Sequence, residues 1–108
     1  MWCSFDKAPM ILRVYGSAET YHRYDPEWAA LLEQFGDFPG ARQIYRIHVE
    51  MVQTSCGFGV PLMDFVGDRG QILNKWAADR GEDGLRDYWC EKNETSIDGL
   101  PTGVLAPV

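Results

Sequence analysis

The sequence predicts an α+β domain built on an open antiparallel sheet of about three strands. One helix lies between strands and two more lie near the C-terminus. Three observations carry this reading. Met10–Tyr21 and Gln43–Ser55 are rich in β-branched and aromatic residues, and the second alternates apolar and polar positions with period two. Between them, D-P-E-W-A-A-L-L-E-Q-F (25–35) has the pattern of a capped amphipathic helix. Beyond them, apolar residues recur at helical spacing from Gln71 to Asn93, with Gly81 and Gly84 as interruptions. No internal repeat or low-complexity tract divides the 108 residues, so 1–108 reads as a single domain.

The elements follow in chain order. M-W-C-S-F opens as a strand, and D-K-A-P turns the chain, since Pro9 bars a helix there. Met10–Tyr21 returns as a long strand, so the first two segments form a hairpin with a short loop. Gly16 in its middle points to a bulge or a close backbone approach. The helix that follows is expected to use Asp25 as N-cap and Pro26 at N1, with Trp28, Leu31, Leu32 and Phe35 on one face. Gly36 is its stop.

In Gln43–Ser55, Tyr45, Ile47, Val49 and Met51 share one face and Arg46, His48 and Glu50 the other, so one buried and one mixed face are expected. His48 reads as a solvated or rim residue. L-M-D-F-V-G-D-R-G is a loop, 71–80 and 85–93 are the two helices, and the Gly- and Pro-bearing tail S-I-D-G-L-P-T-G-V-L-A-P-V reads as extended. Three strands make a sheet but cannot close a barrel.

Composition narrows the partners. Ten Lys and Arg are scattered against sixteen Asp and Glu, for a formal net charge of −6, which argues against nucleic acid and anionic membranes. No apolar run approaches the ~20 residues of a membrane helix, and M-W-C-S-F-D-K-A-P is not a signal peptide, so a cytoplasmic location is expected. Cys3, Cys56 and Cys90 are odd in number and lack C-x-x-C spacing, and His22 and His48 complete no ligand cluster, so no metal site is expected.

The segment V-Q-T-S-C-G-F-G-V-P (52–61) carries the main functional question. It reads as a reactive thiol, an anion-binding loop, or a tight exit from the strand. A reactive Cys56 needs a nearby cation or helix N-terminus, and its sequence neighbours carry no charge. Gly57 and Gly59 are able to take positive φ and turn successive N–H groups toward an anion. The strand-exit reading needs only the glycines and a small buried Cys56.

At M-I-L-R-V-Y-G, V-E-M-V-Q-T-S-C-G-F-G-V-P-L and S-I-D-G-L-P-T-G-V the chain resembles the pyridoxamine 5′-phosphate oxidase-related, FMN-binding split-barrel proteins. Within them it looks like the bacterial branch with a Q-T-S-C-G-[FY]-G-V-P block, over Trp2 to Val104. The resemblance implies a partial split β-barrel, corresponding to the C-terminal portion of proteins whose N-terminal half precedes the segment matching Met1. It implies an FMN-binding oxidoreductase that works as a homodimer on a small-molecule substrate, with two-electron oxidation or reduction as the reaction class.

The same resemblance marks Arg13, Gln53, Ser55, Cys56 and Gly57 as the cofactor-binding candidates, with no catalytic residue assigned. Trp2, Tyr15 and Phe58 are candidates to stack on a ring or to pack in a core. Where the oxidases place a flavin-contacting Gln this chain has Ile11, and where they place a Trp it has Ser55. Their R-L-H-D-R block has no counterpart. The alternative reading is a truncated, non-catalytic split-barrel module that binds a ligand or supports dimerisation.

Overall fold

The sheet has the order β1-β2-β3, formed by Trp2–Cys3, Ile11–His22 and Gln43–Ser55, with helices α1 (Trp28–Leu32) and α2 (Ile72–Asn93). This is a computed structural model, and it describes residues 1–106. β1 and β2 pair antiparallel with Trp2 opposite Leu12 and Cys3 opposite Ile11, and Ser4 N–H donates to the Met10 carbonyl at 2.8 Å to close the hairpin. β3 runs antiparallel to β2, since Arg13 meets Ser55 while Glu19 meets Arg46 and His48. The open three-stranded α+β arrangement is the one the sequence predicts, and it is consistent with a partial split barrel.

At Gly16 the structure shows a close backbone approach. A Cβ there would lie 1.9 Å from the His48 carbonyl oxygen and 3.2 Å from Val49 Cα. Any side chain would have to push β3 away, so the residue is dictated by the neighbouring strand.

The chain divides into two compact units, and both long strands pass from one to the other. The first unit comprises Met1–Glu19 and Arg46–Asp68. It contains no buried hydrophobic residue among those described, and its one buried position is Gly57. Here the structure corrects the expectation for β3. Ile47, Val49 and Met51 are half exposed, as is Val52 on the opposite face. Alternation groups the apolar residues on one side, but among the described residues that side is left half exposed.

The second unit comprises Thr20–Tyr45 and the segment from Arg69 onward. It holds the core, in which Ala77, Leu85, Trp89 and Val104 pack with Trp76, Tyr88 and Leu105. Arg23 braces it from outside. Its guanidinium lies 4.9 Å from the Trp89 ring centre, Nε donates to the Ala41 carbonyl at 2.7 Å and Nη2 to the Pro39 carbonyl.

α1 is shorter than predicted. Asp25 does not cap it, because its Oδ2 accepts the His22 N–H at 2.6 Å and its carbonyl accepts Trp28 N–H at 3.0 Å. These bonds make a turn, and Glu27 becomes an N-cap with no side-chain bond. At the other end Gln34 and Phe35 bond three residues back, as in a tightened last turn, and Gly36 at φ 100° stops the helix as expected.

The two predicted C-terminal helices are the arms of α2, broken at Gly81 (φ 66°, ψ −177°). The tail does not run extended over 96–106, and its last two residues, 107–108, lie outside the described residues. Thr95 bridges to Pro101, Ser96 N–H donates to the Leu100 carbonyl at 2.8 Å, and Thr102 Oγ1 donates to the Asn93 carbonyl at 2.6 Å.

Candidate cofactor site

The sheet brings two of the five sequence candidates together. Arg13 on β2 donates through Nη1 to Ser55 Oγ, the last residue of β3, at 2.9 Å. Strand alternation puts Gln53 on the face of Ser55, and the β1–β2 register puts Cys3, Ile11 and Tyr15 on the face of Arg13. The polar pair therefore sits at the strand end of the same uncovered face that carries Val49 and Met51.

The chemistry available there is that of an anion site. Arg13 has five N–H donors in a planar fork and spends one on Ser55, while Ser55, having accepted, keeps its own O–H to donate. Glu19, the acidic residue of β2, lies farther along the strand and is engaged by His48 at 3.1 Å and Arg46 at 3.7 Å. His48 is thus the exposed rim residue the sequence predicts, with a hydrogen-bond partner that local sequence did not reveal.

Other candidates fall elsewhere. Trp2 stands opposite Leu12 and so on the face away from Arg13, which separates it from the pair. Cys56 lies just past the end of β3, exposed, and the three cysteines are free thiols. Phe58 is 83% exposed at the loop tip.

Gly57 and Gly59 do not have positive φ, so the loop forms no concave run of N–H groups of the kind anticipated. What demands glycine at 57 is packing. A Cβ there would lie 2.7 Å from the Met10 nitrogen and 3.1 Å from the Pro9 carbonyl carbon. The Gly57 carbonyl then accepts Val60 N–H at 2.9 Å, completing a tight strand exit.

One arrangement escaped the sequence reading altogether. In the second unit Tyr45 donates to Gln43 Oε1 at 3.1 Å, which leaves the Gln43 amide nitrogen to meet His22 Nε2 at 3.1 Å. The His22 ring stacks on Tyr24 at 5.3 Å, and Tyr24 donates to the Gly103 carbonyl at 2.8 Å. The signal for it was Gly103 in the L-P-T-G ending, whose φ of 68° brings the tail against the histidine ring.

Among the described residues no three His, Cys, Asp or Glu side chains converge as a metal site would require, and no helix is long and apolar enough to cross a membrane. No protein-family model matches the chain, and no solved structure matches it. A curated protein does: the pyridoxamine 5′-phosphate oxidase family protein ustO of Aspergillus flavus. It is 35% identical over 117 aligned positions, covering 94% of this chain and 46% of the relative. The chain is thus similar to a pyridoxamine 5′-phosphate oxidase family protein, and it spans about half the length of that relative.

Proposed function

We propose that this chain supplies part of an FMN site in a cytoplasmic, homodimeric oxidoreductase of the pyridoxamine phosphate oxidase-related type, acting on a small molecule. The observation that carries the reading is the Arg13–Ser55 pair on an open sheet face. Its remaining donors suit a phosphate group, for which a planar guanidinium fork is well matched. Gln53 on the same face offers an amide to a polar ring edge, and Cys56 and Gly57 bound the site where the backbone leaves the strand. When bound, FMN itself supplies the two-electron chemistry. The residues of this chain bind and orient it, which is why no acid–base dyad is needed among them.

A second reading is favoured by one feature. Gly57 is committed to the Pro9–Met10 contact, and Ile11 and Ser55 replace side chains with which the oxidases meet the flavin. On that reading the chain is a non-catalytic module for ligand binding or dimerisation.

Titration of the purified chain with FMN, followed by quenching of flavin fluorescence, separates the two. Stoichiometric uptake is expected, weakened about tenfold or more in Arg13→Gln, as loss of a charged hydrogen-bond donor implies. Absence of uptake by the chain as a dimer would leave the module reading. Uptake unchanged in Arg13→Gln would move the phosphate away from β2.

A further inference from the structure

The second unit contains a groove of about 640 Å³ between the start of β3 and the tail loop, lined among others by Thr20, Arg42, Tyr45, Asn93, Ile97 and Leu100. Arg42 is half buried, and its guanidinium has no ion pair or hydrogen bond among the described residues. The other cation on this wall is already satisfied. Lys92 holds Glu91 at 2.6 Å, and that hydrogen bond raises the lysine and lowers the carboxyl from their ordinary values. Asp98 is the carboxylate lining the groove, and it forms no ion pair with Arg42 among the described residues.

Beneath the groove, Asn93 Oδ1 is buried without a hydrogen-bond partner, although its amide nitrogen donates to the Lys92 carbonyl at 3.1 Å. A partly buried, unpaired guanidinium and an unsatisfied buried amide oxygen are each costly in a closed protein. Both deficits are relieved if a ligand occupies the groove. An anion pairs with Arg42, and rotation of the Asn93 amide lets it accept from a ligand hydroxyl or amine. The apolar part of such a ligand has Ile97 and Leu100 to rest on, both of which are largely exposed.

We infer that this groove binds a small organic acid, with its carboxylate or phosphate on Arg42 and its apolar body against Ile97 and Leu100. The inference is independent of the FMN reading, since none of these residues belongs to the Arg13–Ser55 cluster. Benzoate, phenyl phosphate and the neutral benzyl alcohol are the probes, titrated into the FMN-free chain with detection by amide chemical shifts.

Shifts at Arg42, Ile97 and Leu100 are expected with one or both acids and not with the alcohol, and which acid is tighter distinguishes carboxylate from phosphate. Arg42→Gln is expected to weaken the response about tenfold or more, and Arg42→Lys to weaken it less. An equal response to benzyl alcohol, or no response to either acid, would overturn the inference. So would full affinity in Arg42→Gln. FMN uptake is expected to be the same in Arg42→Gln as in the parent. Its loss in that variant, while Arg13→Gln retains it, would put the FMN phosphate in this groove instead.

Discussion

Gly57 and Gly59 flank Phe58 in one short motif, yet they answer to different demands. Gly57 is buried against the Pro9–Met10 backbone, where a methyl group would stand 2.7 Å from a main-chain nitrogen. Gly59 has open space around it and no positive φ. Gly57→Ala is therefore expected to destabilise the fold by about 2 kcal/mol, within the range for overpacking against groups that cannot rotate away. Gly59→Ala is expected to change stability by less than about 0.5 kcal/mol, as an unconstrained surface site does. Urea unfolding midpoints of the two variants check this, and a neutral Gly57→Ala would mean that the close approach is not tight in solution. Sequence alone treated the two glycines alike, because what distinguishes them is a contact with a distant turn. The Arg13–Ser55 pair was half legible for the same reason: both residues were singled out, but only the strand pairing puts them within hydrogen-bonding reach.

Elements were most legible where periodicity and a breaker agree. β3 spans the predicted Gln43–Ser55, and α1 stops at Gly36. The start of α1 was misread because the Asp25 carboxylate can accept from either of two places, and it accepts from the preceding turn, from His22 N–H at 2.6 Å, instead of capping the helix. In α2 the interruption was legible but not its owner. Gly84 stays helical, while Gly81 adopts a conformation essentially restricted to glycine. In a continuous helix Trp76 and Tyr88 would be separated by about 18 Å of axial rise. Instead their rings meet edge to face at 5.0 Å, with the Arg80 guanidinium 4.5 Å from the Trp76 ring and 5.4 Å from that of Tyr88. Gly81→Ala is thus expected to cost about 1–3 kcal/mol and to weaken the near-ultraviolet circular dichroism of the Trp76–Tyr88 pair. A variant that is more stable, with that signal intact, would show that the break belongs to packing rather than to the glycine.

At the scale of the whole molecule, hydrophobic alternation said which side of β3 is apolar but could not say what covers it. The five buried hydrophobic residues among those described lie in the second unit, and the first leaves Ile47, Val49, Met51 and Val52 each about half exposed. An isolated hairpin-like sheet is marginal in water without something packed on its apolar face, and contiguous exposed apolar patches mark association surfaces. The proposed homodimer supplies that cover with a second copy of the same face, as a two-fold interface requires. Light scattering coupled to size exclusion is expected to give twice the chain mass. Ile47→Lys and Val49→Lys together are expected to return it to the monomer, since charges at the centre of an apolar interface are strongly disfavoured. The two sites are half exposed within the chain, so the substitutions leave the second unit's core intact, and retained helical circular dichroism verifies this. A parent chain that runs as a monomer would remove the dimer from the proposal, whereas a double variant that stays dimeric would move the interface off this face. Because Arg13 and Ser55 sit at the end of the same face, the monomeric variant is also expected to lose FMN uptake if the partner copy completes the site, and to retain it if the site lies within one chain.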